Sequence, residues 1–334
     1  MRNLVSIKTI TDVNPIPNAD MIECITIDGG WKVVSKKNEF KPGDACIYFE
    51  IDSVLPIRPE FEFLRKSSYI KTEDYEGFRL KTIRLRGQIS QGLALPIHVF
   101  ENDAWFTQTI VDDLTEKLGV IKWEPKTPAI LTGDVAGPFP SYVPKTDQER
   151  IQNLASNLED YSYDKWEVTE KMEGQSLTVF NYKEQFGVCS RNWMIKENEE
   201  NAQWKLVRSL KLKEKMNGLN IAIQGEFVGP GVQGNHYGLK EHKFMVFDMY
   251  DIDLCKYMNS RERLVVCQDL GLHHVPVVNE FNDVVNDMEA MLQRADGNSR
   301  LNPNSLREGL VYKSIADPSK SFKTVSNEYL LKEK

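Results

Sequence analysis

Cysteine is scarce in this 334-residue chain: there are five, at positions 24, 46, 189, 255 and 267, with no Cys-x-x-Cys pair. That argues against a disulfide framework and a thiolate zinc site, and it leaves reduced, buried thiols. Histidine is equally sparse at five, with no His-x-x-x-His and only His273 and His274 adjacent. No apolar run approaches the ~18 residues that a membrane helix needs. The opening Met1-Arg-Asn-Leu-Val-Ser-Ile7 lacks the apolar core of a secretory signal. The expectation is an intracellular protein with no membrane partner. Positive charge is not in excess either, since the net charge is -7. That argues against coating nucleic acid indiscriminately but leaves room for a local basic groove. Internal repeats and low-complexity tracts are absent as well.

What is present describes an ordinary globular chain, 41% hydrophobic and 27% charged. It is too long for one small core, so two domains are expected. Residues 1–100 read as β. Short apolar runs at 25–27, 31–34, 45–51, 78–85 and 92–96 alternate with turn signals such as Asp28-Gly-Gly30 and Lys41-Pro-Gly-Asp44. Five or so strands in that length suit a small OB-type barrel. Within it, Arg79-Leu-Lys-Thr-Ile-Arg-Leu-Arg86 is the most basic stretch. On a regular strand Arg79 and Lys81 face away from Arg84 and Arg86, so only a bulge would unite all four. The stretch reads either as a nucleic-acid surface or as a charge-protected strand edge.

Residues 101–137 read as a connector, with a short helix over 111–118 stopped by Gly119. A turn-rich boundary follows at Gly133-Asp-Val-Ala-Gly-Pro-Phe-Pro140. Residues 138–334 mix strands and helices, an α+β pattern with antiparallel sheets and flanking helices. Helices are expected from Thr146 or Asp147, over 201–216, after Ser260 and over 283–294. Strands are expected at 177–180, 186–190, 220–228, 244–249, 309–314 and 321–325.

Chemistry first suggests itself in Lys171-Met-Glu-Gly174. In an extended segment residues i and i+2 face the same way, so Lys171 and Glu173 can share a pocket. Gly174 allows a tight turn or a close approach to a ligand. A lysine beside a carboxylate suits covalent catalysis, with the amine as nucleophile. An ordinary lysine is almost wholly protonated near pH 7, so something must help remove its proton. Further along come Ser190-Arg-Asn192, Gly225-Glu226, Phe247-Asp248, Glu308-Gly-Leu-Val311 and Phe322-Lys323. Each alone is unremarkable: a satisfied strand carboxylate, a core aromatic, a solvated lysine.

In this order the six resemble the motifs of the covalent nucleotidyltransferases, which include ATP-dependent RNA and DNA ligases and capping enzymes. Lys145-Thr-Asp-Gln-Glu-Arg-Ile-Gln-Asn153 and Gly229-Pro-Gly-Val-Gln-Gly234 further resemble RNA ligases of the type with an OB domain ahead of the ligase domain. The resemblance implies that ATP reacts with Lys171 to leave AMP on the lysine. AMP then passes to an RNA 5′-phosphate, and a 3′-hydroxyl displaces it, sealing a nick in duplex RNA. It further implies Phe247 on the adenine, with Glu170, Glu173 and Arg191 around the nucleoside or the 5′-phosphate end. Lys313 and Lys323 are expected on the AMP phosphate, and Lys145 and Arg150 on the departing pyrophosphate. Glu226 and Glu308, with Glu173, would hold Mg2+ or Mn2+ through its water shell. A monomer is expected.

Two departures stand out. The family has Asp more often than Glu at the position of Glu173. Its terminal motif is usually Lys-x-Lys, whereas here Lys320 falls one step too early. Gly229-Pro-Gly-Val-Gln-Gly234 also fits a dinucleotide fingerprint, but Asn235-His-Tyr-Gly238 offers no helix for a pyrophosphate. A loop beside the active site is expected instead. A capping guanylyltransferase or DNA ligase is the nearest alternative. Both usually carry another OB domain after the terminal lysine motif, and this chain ends about ten residues past Lys323. An RNA-binding module with an inactive transferase half is the alternative of another class.

Overall fold

The computed structural model describes residues 3–72, 75–103, 113–123 and 133–332. The chain forms two compact units, Met1–Pro125 and Lys126–Glu333.

The first unit is built around Val5–Pro15, an 11-residue strand not expected from the sequence. It pairs on one side with Ile22–Ile27 and on the other with Ala45–Phe49, at the centre of a five-stranded sheet. Period-two alternation sends Ile25, Ile27, Trp31 and Val33 into the core with Tyr48. Gly92, at φ +99°, is required: a Cβ there would lie 2.3 Å from the Phe49 carbonyl oxygen.

The run 78–85 is not one strand. It splits into Glu76–Arg79 and Thr82–Leu85, which belong to different sheets. The reason lies at Leu80, which is buried and exchanges backbone hydrogen bonds with Ser53 and Asp52. Anchored there, the chain leaves the sheet and turns into a two-stranded hairpin with Gln88–Gln91. Residues 115–119 form turns and 113–114 are irregular, so there is no helix over 113–118, and 111–112 lie outside the described residues. Leu114, Leu118 and Val120 pack into the core of this unit, and the Thr115 hydroxyl accepts from the Leu4 and Val5 amides. This stretch, expected in the connector, therefore lies within the first unit.

The second unit contains two sheets. The larger runs Val135–Pro138, Trp193–Ile195, Gln185–Cys189, Gln175–Tyr182, Ile221–Val228, Lys243–Asp251 and Lys256–Tyr257 in spatial order. The smaller runs Glu149–Arg150, Ser321–Val325, Gly309–Ser314, Lys165–Lys171 and Val277–Asp283. Pairing is antiparallel apart from two short parallel contacts, at Glu149–Arg150 and at His273–His274.

Helices are shorter than their periodicity suggests. No helix starts at Thr146 or Asp147: residues 149–150 pair with the Ser321–Val325 strand, and a 3-10 turn follows at Ile151–Asn157. The expected 201–216 helix breaks at Lys211, which sits in the left-handed region at φ 55° between Ala202–Ser209 and Leu212–Lys215. Ser260–Leu270 has a capping box from Asn259 to Glu262 and ends at Gly271. In the 283–294 stretch only Met288–Gln293 is α-helical, because the preceding strand extends to Asp283. Among the described residues no helix is long and apolar enough to cross a membrane.

Candidate active site

Lys171 is the last residue of its strand, and Gly309 is its cross-strand partner. Glu308 precedes Gly309, so the two side chains emerge at the same sheet end and form an ion pair. Both are partly buried. The approach to Glu308 is fixed by Arg307, whose guanidinium donates to the carbonyls of Arg294, Ala295 and Asp296 at 2.6–3.0 Å. Gly309 leaves no room for a side chain, since a Cβ would meet the Thr324 carbonyl oxygen at 2.2 Å. Directly opposed residues of an antiparallel pair share a sheet face. The register therefore puts Lys171, Lys323 (opposite Val311) and Lys313 (opposite Glu167) on one face, in successive rows.

Glu226 comes from the other sheet, on Ile221–Val228. Its Oε2 is enclosed and has no hydrogen-bond partner. Burial pushes its carboxyl up to about 8, with Lys171 pulling down and the Glu308 charge pushing further up. A polar atom left in this condition is costly unless something else satisfies it. Gly174 makes the close approach possible: a Cβ there would lie 2.7 Å from the Phe227 carbonyl and 3.2 Å from Glu226 Oε2. Gly174→Ala should therefore destabilise the protein by about 1–3 kcal/mol, through forced separation of the strands. Thermal unfolding measures this, and an unchanged Tm would contradict it.

Glu173 lies just past the strand end. Its amide donates to the Tyr237 hydroxyl at 2.5 Å, and its Oε2 lies 3.3 Å from His236 Nδ1. His236 Nε2 in turn donates to the Leu306 carbonyl at 2.6 Å. His236 and Tyr237 sit in the loop after Val228, which contains only the 3-10 turn Gln233–Asn235. No helix follows this glycine-rich segment, and the residues just after it, His236 and Tyr237, reach Glu173. Burial drives the Tyr237 phenol upward, with the Glu308, Glu170 and Glu173 charges adding to the rise. Neither residue was singled out from the sequence, because a hydroxyl and a ring that act on backbone and carboxylate groups have no spacing signature.

Phe247 lies on Lys243–Asp251 at a bulge: Gln224 opposes Asp248 and Gly225 opposes Val246. Lys313 was expected on the AMP phosphate. It is instead almost wholly buried, donating to the Phe247 carbonyl and pairing with Asp248 at 2.6 Å. Glu170 is buried too, and one of its oxygens accepts from the Arg300 amide at 2.8 Å. Arg150 is buried beside Lys323 in register, not on an open rim. Lys145 and Arg191 are at the rim: Lys145 donates to Asn192 at 2.9 Å, and the exposed Arg191 pairs with Asp147 at 2.9 Å. Lys320 is accounted for elsewhere, paired to Asp164 at 2.7 Å over the Tyr161 ring.

Among the described residues no three His, Cys, Asp or Glu side chains are arranged to hold a metal directly. The unsatisfied Glu226 oxygen near the Glu308 charge does suit a hydrated divalent cation, which binds through few carboxylates and keeps much of its water.

Known proteins give the same picture. An OB-fold domain family matches residues 4–97, and the RNA ligase family matches residues 164–325. No curated protein matches the sequence. Among solved structures, Naegleria gruberi RNA ligase with PPi is 42% identical, with a TM-score of 0.89, over 99% of this chain and 98% of that one. A mutant of the same ligase with ATP and Mn gives TM-score 0.89, and another with AMP and Mn gives 0.90, both at 42% identity over 98% of each chain. Identity at that level over nearly the whole length leaves one assignment: the chain belongs to the RNA ligase family, with an OB-fold domain ahead of the ligase domain.

Proposed function

We propose that the protein seals RNA strands bearing a 3′-hydroxyl and a 5′-phosphate, using ATP and a covalent lysyl-AMP intermediate. The observation that carries this reading is the meeting of Lys171, Glu308 and an unsatisfied Glu226 oxygen between two sheets. The Lys171–Glu308 contact holds the amine at the strand end until ATP arrives. The ammonium gives up a proton to Glu308 or to solvent, the neutral nitrogen attacks the α-phosphorus, the bond to the bridging oxygen breaks, and pyrophosphate leaves. A divalent cation, Mg2+ or Mn2+, supplies charge neutralisation at the phosphates when bound. Glu226 and Glu308, with Glu173, would hold it through water. Lys323, on the same sheet face as Lys171, would balance negative charge on the phosphate. Lys145 and Arg191, at the rim, suit the pyrophosphate and the RNA 5′ end.

The test is incubation with α-labelled ATP or GTP in Mg2+ or Mn2+, followed by a denaturing gel. Adduct from ATP alone is expected. Adduct from GTP would favour a capping enzyme, and none at all would favour an inactive RNA-binding module. Sealing only where the 3′-hydroxyl strand is RNA separates this reading from a DNA ligase.

We also propose that RNA lies along the hairpin of Thr82–Leu85 and Gln88–Gln91. Residues 78–92 carry four basic side chains and no acidic one, in a chain of net charge -7. Arg79 stacks on Trp123, its guanidinium carbon 3.2 Å from the ring centroid. Lys81, Arg84 and Arg86 remain exposed beside Ile83 and Leu85. The triple change Lys81→Ala, Arg84→Ala, Arg86→Ala should weaken nicked-RNA binding about tenfold or more and flatten its log–log salt slope by about 2–3. Self-adenylylation should be unaffected. Unchanged RNA affinity and salt slope would reject the hairpin as the contact.

A further inference from the structure

Phe247 is held by an unusual arrangement. At the bulge it has no residue opposite it, so the ladder does not fix its main chain as it fixes its neighbours. The Lys313 ammonium reaches across from the other sheet and takes the Phe247 carbonyl at 2.5 Å and Asp248 Oδ1 at 2.6 Å. It lies 5.4 Å from the centroid of the Phe247 ring. Behind it, Glu167 stands directly opposite Lys313 on the adjacent strand. Glu167 pairs with the fully buried Arg263 and accepts from the Ser260 hydroxyl at 2.5 Å. Arg263 Nε donates to His274 Nε2 at 2.9 Å, and His274 Nδ1 donates to the Val275 carbonyl at 2.6 Å. Burial, with the Arg263 cation adding, holds the His274 ring down at about 4, which matches this neutral tautomer. Two cations and two carboxylates thus balance in the interior, a condition under which buried charges are tolerated.

We infer that Lys313 is a positioning residue for the nucleobase wall, not a phosphate ligand: it fixes the bulged Phe247 through the main-chain carbonyl and Asp248. The inference rests on Phe247 being the surface on which adenine stacks. Separation along the strand supports it. Lys313 lies opposite Glu167, four residues from Lys171, which is roughly 13 Å at ~3.3 Å per residue. An AMP joined to Lys171 would extend its base, not its phosphate, toward that end of the strand.

Three measurements test the inference. They are the ATP dependence of self-adenylylation, its inhibition by inorganic tripolyphosphate, and a double-mutant cycle with Phe247→Ala. Lys313→Met should raise KM for ATP about tenfold with kcat changed less than about threefold, the pattern of lost binding. Tripolyphosphate inhibition should be unchanged, and Lys313→Met should add little on the Phe247→Ala background. Loss of tripolyphosphate affinity in parallel with ATP would make Lys313 a phosphate ligand. Fully additive losses with Phe247→Ala would break the link to the base wall. Should Lys313→Met alone not fold, Lys313→Met with Asp248→Asn removes both buried charges together and gives the same readout. A variant that still forms the adduct with unchanged KM defeats this inference alone, whereas wild-type protein that forms no adduct defeats the ligase reading.

Discussion

Lys171→Ala yields no protein-linked AMP: with labelled ATP and Mg2+ or Mn2+, labelling should fall at least about 10⁴-fold, to background. No other lysine can stand in. Lys313 is buried against Phe247 and Asp248, and Lys320 is paired with Asp164. Lys323 is on the same face but in another row, opposite Val311 and not at the strand end where Glu308 lies. Alanine also removes the cation facing Glu308, so a loss of activity could reflect a damaged site. Lys171→Arg answers that objection, because arginine keeps the charge and the pairing but is always protonated and cannot act as the nucleophile. Both variants should stay folded and still show ATP-induced thermal stabilisation. Labelled protein from either variant would place the nucleophile elsewhere.

Glu226→Gln should move activity and stability in opposite directions. Its carboxyl is raised to about 8 in the folded protein, chiefly by burial. Below about pH 4.5 the group is protonated in both states, so there is no charge penalty for the substitution to relieve. As pH rises from there to about 8, the unfolded chain gives up this proton and the native protein keeps it. The unfolded state then binds fewer protons, and native stability falls across that window. Above about pH 8 the penalty is constant, at most about 5 kcal/mol for a shift of this size. Glutamine removes the charge but still buries an amide without a partner, at about 1–3 kcal/mol. A net gain of about 2–4 kcal/mol is expected above pH 8, turning into a net loss of about 1–3 kcal/mol near pH 4.5, where only the cost of the amide remains. Over the same range adenylylation should fall about 100-fold or more, because the site loses an anionic ligand for the cation. Thermal unfolding at pH 5 and pH 8.5, alongside adduct formation, tests both halves. A variant no more stable at pH 8.5 than the parent would show that Glu226 is not held against its desolvation.

Much of this site was legible because its residues sit at strand ends, next to glycines that sequence marks clearly. Lys171-Met-Glu-Gly174 and Glu308-Gly309 each end or begin a strand, and the fold brings those ends together. The burial of Lys313 against Phe247 and Asp248 was not legible, for a physical reason. That residue's position one row from Lys323 gives no hint that a bulge one sheet away leaves a carbonyl for it to take. The 78–85 run was read as one strand although its alternation changes phase between Leu80 and Ile83, and there Leu80 is claimed by Asp52 and Ser53. A helix start near Thr146 and an unbroken helix over 201–216 were expected because local capping and periodicity say nothing about a strand partner or a left-handed Lys211.

By itself the sequence determined which side chains can do chemistry here, and in what order they occur, since side-chain type and glycine placement are local properties. Only the tertiary structure decided which of them gather around Lys171 and which are held inside, because that depends on register between strands far apart in the chain. Glu226 and Lys313 illustrate the division. Both are charged residues on strands, but one keeps an unsatisfied oxygen beside Lys171, while the other has its ammonium enclosed between two sheets.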